Sequence, residues 1–130
     1  MSHFIDDGFT LDYSVDGRVG LYAPFAIKYR PALPERVLEW RLESSARPGE
    51  EPRVTARRQM DNDARLITEH VLAWTLPPYG MPHPSDELMK ADGRTVPTIE
   101  RVKRLHEPII RELVEVVAGY AFRRVELEKN

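Results

Sequence analysis

Residues 9–29 read Phe9-Thr10-Leu11-Asp12-Tyr13-Ser14-Val15-Asp16-Gly17-Arg18-Val19-Gly20-Leu21-Tyr22-Ala23-Pro24-Phe25-Ala26-Ile27-Lys28-Tyr29, and their parity decides the fold class. Apolar side chains take the odd positions Phe9, Leu11, Tyr13 and Val15, then Val19, Leu21, Ala23, Phe25, Ile27 and Tyr29, with Thr10, Asp12 and Ser14 between the first set. Period-two alternation marks strands with one buried face, and Asp16-Gly17 between two such runs marks a hairpin. A two-residue Asp16-Gly17 loop would set odd residues opposite even ones and mix the faces. A three-residue Val15-Asp16-Gly17 loop, with Gly17 in the left-handed position of a bulge, pairs Tyr13 with Val19 and Leu11 with Leu21 and keeps every odd residue on one side. Pro24 has no N–H for a ladder, so the second strand is expected at a sheet edge or bent there.

Beyond residue 30 the pattern turns helical. Pro31 and Pro34 end the sheet region, and Pro34 suits the first turn of a helix carrying Val37, Leu38, Trp40 and Leu42. Residues 44–52 are charged, contain Pro48-Gly49, and read as a surface loop. Met60, Ala64, Ile67, Val71 and Trp74 follow 4, 3, 4, 3 spacing and predict one middle helix ending at Pro77-Pro78, with Asp61 and Arg65 as an i, i+4 ion pair. Residues 77–97 hold five of the eleven prolines and form a long loop in which Ser85-Asp86-Glu87-Leu88 suits one short helical turn. Thr98 caps a short helix with Ile99, Val102 and Leu105. Pro108 opens the last helix, in which Ile110, Leu113, Val117 and Tyr120 repeat, Ile109 and Val116 widen the stripe, and Glu112, Glu115, Arg123 and Arg124 suit the helix dipole. The expected architecture is α+β in a single domain spanning 1–130: an N-terminal β-hairpin or small antiparallel sheet over about 8–30, then a mainly helical portion over about 34–128.

Composition narrows the function classes. A chain of 130 residues with 42% hydrophobic content supports one core. The absence of cysteine removes disulfide scaffolds, thiolate zinc sites and cysteine nucleophiles. Nineteen basic against 21 acidic residues leave a net charge of −2, which predicts neither a nucleic-acid nor an anionic-membrane partner. No apolar run approaches the roughly 18 residues of a membrane span. A soluble protein of the cytoplasm is expected.

Sites of chemistry are sparse. His3, His70, His83 and His106 share no i, i+4 or His-x-His spacing, so a His70/His83/His106 metal site would need assembly from distant segments. Asp61-Asn62-Asp63 opens like a calcium loop, but position six is not glycine and Leu72 stands where a bidentate Glu is needed. No phosphate-cradling glycine loop and no nucleophile elbow occur, and paired acids such as Asp6-Asp7, Glu50-Glu51 and Asp86-Glu87 lie in polar stretches. No catalytic residue, metal or cofactor is expected. Arg47, Arg53, Arg57 and Arg58 form a basic run suited to gripping phosphate, yet Glu50, Glu51, Asp61 and Asp63 surround them, which favours a solvated charged face. Trp40 and Trp74 sit on apolar stripes and read first as core, second as docking aromatics.

Tyr29-Arg30-Pro31-Ala32-Leu33-Pro34, then His70-Val71-Leu72-Ala73-Trp74, Asp92-Gly93-Arg94-Thr95-Val96-Pro97-Thr98 and the helix with Leu105, Pro108, Ile109 and Ile110 resemble, from about Phe9 to Tyr120, the small tail assembly chaperones of long-tailed, siphovirus-type bacteriophages. The likeness lies in element order and short motifs; residues 77–97, with their extra helical turn, depart from it. The resemblance implies a β portion ahead of a helical one, no catalytic residues or cofactor, and transient binding of the tape-measure protein and the tail-tube protein in the host-cell cytoplasm during tail morphogenesis. Proteins of that family often come as a short form and a frameshifted longer form. Trp74, Tyr79 and Met81 are the expected docking residues, with the stripe Ile109, Ile110, Val116 and Val117 facing a partner or, in a homo-oligomer, a second copy. Two rivals stand beside this reading: a structural virion component, such as a tail-completion or head-tail joining subunit, and a metal-dependent hydrolase built on the histidines.

Overall fold

The computed structural model describes residues 3–76 and 94–119. Three antiparallel strands, β1 (Leu11–Val15), β2 (Phe25–Tyr29) and β3 (Val71–Trp74), form one sheet in the order β1-β2-β3. Four helices accompany it: α1 (Pro34–Ser44), α2 (Pro52–His70), α3 (Ile99–Lys103) and α4 (Glu107–Ala118). The chain is α+β as its alternation and helical spacing require.

The hairpin keeps the expected parity and changes its register. Leu11 faces Tyr29, Tyr13 faces Ile27 and Val15 faces Phe25, a slide of eight positions from the pairing with Val19 and Leu21. Residues 16–24 form the connection, closed by a bridge between Arg18 and Tyr22, and Val19 and Leu21 point to solvent. The left-handed residue is Gly20, at φ +82°, not Gly17. Pro24 stands just before β2, so its missing N–H interrupts nothing, and β2 is the central strand instead of an edge.

The second correction concerns residues 71–74. The middle helix starts eight residues before Met60, at Pro52, and stops at His70; Val71 caps it in extended conformation, its N–H donating to Ile67 O. Val71–Trp74 then pairs with β2, Val71 opposite Tyr29 and Trp74 opposite Ile27. Three steps on β3 oppose two on β2, and the irregularity at Lys28/Tyr29 absorbs the difference. That bulge lets residues three apart both reach the core, which is why their spacing imitates a helix. Trp74 exchanges backbone hydrogen bonds of 2.8 and 2.9 Å with Thr95, which covers the outer edge of β3.

Helix α2 is the hub, touching α1, α3, α4 and β3. Its Ala64, Leu66 and Ile67 join Ile27, Tyr29, Val71 and Trp74 of the sheet and Val102, Leu113, Val116 and Val117 of the C-terminal helices in one core. Helix ends follow local chemistry: α1, α2 and α4 each have proline in the first turn, Thr98 Oγ1 accepts from Arg101 N at the start of α3, and Gly119 at φ +87° closes α4. Asp61 pairs with Lys103 (2.5 Å) and Arg65 with Glu43 (3.9 Å), not with each other. The turn at Ser85 to Leu88, Tyr120, and Arg123 with Arg124 lie outside the described residues.

Candidate functional site

The expected docking residues are largely interior. Trp74 is 1% exposed because its side chain belongs to the core cluster that the sheet forms with the helices. Ile109, Val116 and Val117 are buried in the core cluster, since the apolar stripe of α4 packs inward on α2 and the sheet instead of facing a partner or second copy. Tyr79 and Met81 lie outside the described residues. Among the described residues of the set, Ile110 alone is half-buried and borders a surface depression.

That depression is a groove of about 490 Å³ where α1, α2 and α4 meet. Trp40, Ala56, Met60, Ile110 and Val114 supply apolar surface, and Gln59, Asp63, Glu107, Arg111 and Glu115 the polar remainder. Met60 contributes because α2 turns it outward; it is 52% exposed, although its spacing from Ala64 and Ile67 places it on the predicted core stripe. Trp40 is half-buried, and its Nε1–H donates to Asp63 Oδ1 at 2.9 Å. Burial raises the pKa of Asp63, and the Trp40 hydrogen bond works against it. Arg111 pairs with Glu107 at 2.6 Å along the rim. The groove presents no nucleophile next to a base; it offers an apolar floor with an acidic margin.

A second acidic feature lies toward the hairpin connection. Burial, then Asp16 and Glu115, raise the pKa of Glu112, and burial, then Glu112, Asp16 and Glu115, raise that of Tyr13. The histidines are engaged separately: His70 Nδ1 lies 2.7 Å from Leu66 O, and the His106 ring tilts against Tyr22 at 5.2 Å. Among the described residues no group of three His, Cys, Asp or Glu side chains is placed to hold a metal ion, and no helix is long and apolar enough to cross a membrane. His83 lies outside the described residues.

The basic run is split by the fold. Arg58 forms an ion pair with Glu50 and also donates to the carbonyls of Glu43 (2.9 Å) and Ser45 (2.7 Å), fastening the connection between α1 and α2. With Thr55 also donating to it, Glu50 has its pKa lowered to about 2. Arg53, Arg57 and Arg65, with Arg58 beside them, line a second groove on α2. No family model, no curated protein and no solved structure matches this chain.

Proposed function

We propose that the protein is a non-enzymatic tail assembly chaperone that binds the tape-measure protein, and with it the tail-tube protein, while bacteriophage tails are built. The reading starts from the order of motifs between about Phe9 and Tyr120. The structural observation that supports it best is the groove at α1, α2 and α4, in which Met60 is exposed beside Trp40 and Ile110. A chaperone for a long helical scaffold must cover many similar apolar stripes and release them. A shallow groove accepts one or two side chains of a helix without enclosing it. Methionine adapts its shape to side chains that differ from one stretch to the next.

Co-expression with the tape-measure protein of the same phage, followed by pull-down, tests the reading. Retention at micromolar concentrations is expected, and none would overturn it. Mass spectrometry of purified particles adds a second criterion: the chaperone should be missing, and a stoichiometric amount would make the protein a structural virion component.

A further inference from the structure

Val54, Arg57, Arg58, Asp61, Asn62 and Arg65 recur at three- and four-residue intervals and share one side of α2. Together with Glu51 and Arg53 they line a groove of about 490 Å³, within the size range of small-ligand sites and sharing no residue with the groove at α4. Its charges are unevenly matched. Arg58 is committed to Glu50, Asp61 is held by Lys103, and Arg65 lies 3.9 Å from Glu43. Arg53 and Arg57 are exposed and form no ion pair among the described residues. The remaining acid of the lining, Glu51, balances one of these two charges and leaves the other in excess.

Asn62, in the lining of the same groove, carries an unmet hydrogen-bond donor. Asn62 is 4% exposed, and its Nδ2 has no acceptor among the described residues. Buried amide donors are nearly always paired, because an unpaired one forfeits the water it had in the unfolded chain. An acceptor brought to the groove would answer both the surplus charge and the idle amide.

We propose that this side of α2 binds a small oxyanion, a phosphate or carboxylate group, between Arg53, Arg57 and Asn62. Guanidinium groups match the paired oxygens of either anion, and Asn62 adds a neutral donor at the floor. Val54 and the arginine stems give apolar surface for the body that carries the anion. A nucleic-acid backbone fits less well. It calls for a continuous track of cations, whereas Glu51 and Asp61 interrupt this one and the chain's net charge is −2.

The test is titration of the full chain in low salt with inorganic pyrophosphate and, separately, with hexanoate, followed by side-chain NMR of arginine Nε–H and asparagine NH₂ groups. Saturable shifts at Arg53, Arg57 and Asn62 are expected for at least one probe, and the tighter probe identifies whether phosphate or carboxylate is the natural group. R53Q/R57Q should weaken binding at least tenfold while leaving the backbone amide spectrum of the core in place. Asn62→Asp, which sets a carboxylate at the floor, should weaken it similarly. Because that variant risks the fold, the surface double variant decides. Non-saturating shifts with both probes, or an unchanged isotherm in R53Q/R57Q, would overturn the proposal. So would a DNA duplex that binds through the same arginines more tightly than either probe.

Discussion

Trp40 on α1 and Asp63 on α2 are joined by a 2.9 Å hydrogen bond from the indole Nε1–H to the carboxylate, so one acid both clasps two helices and borders the groove where α1, α2 and α4 meet. Burial raises the Asp63 pKa above its ordinary 3.8, with the Trp40 hydrogen bond opposing. A carboxyl with a raised folded pKa binds its proton more readily in the native state. Its stabilising contribution is therefore full below the unfolded value and lost as pH rises through the folded pKa. Asp63→Asn keeps an acceptor for Trp40 and removes the titration. The wild type should thus gain stability over this variant as pH falls from neutrality toward 3.8, measured by urea unfolding at several pH values. An equal gap at all pH values would refute the assignment.

Met60 separates binding from folding. At 52% exposure it adds little to the core, so Met60→Glu should change unfolding free energy by no more than about 0.5 kcal/mol. The same change puts a charge on the groove floor beside Trp40 and Ile110 and should reduce retention of the tape-measure protein at least tenfold, on the order of 1.4 kcal/mol. Retention equal to wild type would move the docking surface elsewhere.

Trp74 should behave in the opposite way. Its ring is 1% exposed and belongs to the core formed by the sheet and α2. Trp74→Ala should cost about 3–5 kcal/mol in denaturant unfolding, enough to threaten the fold of a domain this small. A loss under about 1 kcal/mol would show that the ring is not a core element.

The contrast between these residues shows how far the chain could be read. Parity correctly turns the odd side chains of β1 and β2 toward the core, yet Val19 and Leu21, which point to solvent, have the same parity as Phe25 and Ile27. Local alternation therefore cannot choose between the two registers; pairing of β2 with β3, distant in sequence, can. Pro34, Thr98 and Pro108 mark helix starts because their chemistry is local. The end of α2 is hidden because Val71 and Trp74 prolong the 4, 3 rhythm of Ala64 and Ile67, and only the bulge at Lys28/Tyr29 turns that spacing into a strand face. The groove follows the same logic. Ile110 stands in the widened stripe of α4, while Met60 is concealed in a stripe it does not join.

Tyr29 lies wholly in the core, and its hydroxyl has no hydrogen-bond partner among the described residues. Burial, and secondarily Tyr13, push its pKa up to about 12. A buried hydroxyl without a partner carries a desolvation penalty that phenylalanine lacks. Tyr29→Phe should therefore stabilise the protein by about 1 kcal/mol, read from the denaturation midpoint at unchanged slope. Destabilisation by that amount would mean the hydroxyl is satisfied in solution.

Two glycines in the β1–β2 connection are required for different reasons, and substitutions separate them. A Cβ on Gly17 would lie 2.8 Å from Pro24 N, Pro24 Cδ and Tyr22 O, so backbone and a proline ring, neither able to rotate away, would have to move. Gly20 has nothing within 4 Å but sits at φ +82°. Gly17→Ala should cost about 1–3 kcal/mol through crowding, and Gly20→Ala about 1–2 kcal/mol through backbone strain. Asparagine tolerates the left-handed region better than alanine, so Gly20→Asn should be milder than Gly20→Ala. At Gly17 asparagine brings the same Cβ and gives no relief. Thermal unfolding of the four variants reads the pattern directly, and a Gly17→Ala midpoint equal to wild type would show that Gly17 does not pack against Tyr22 and Pro24 as described.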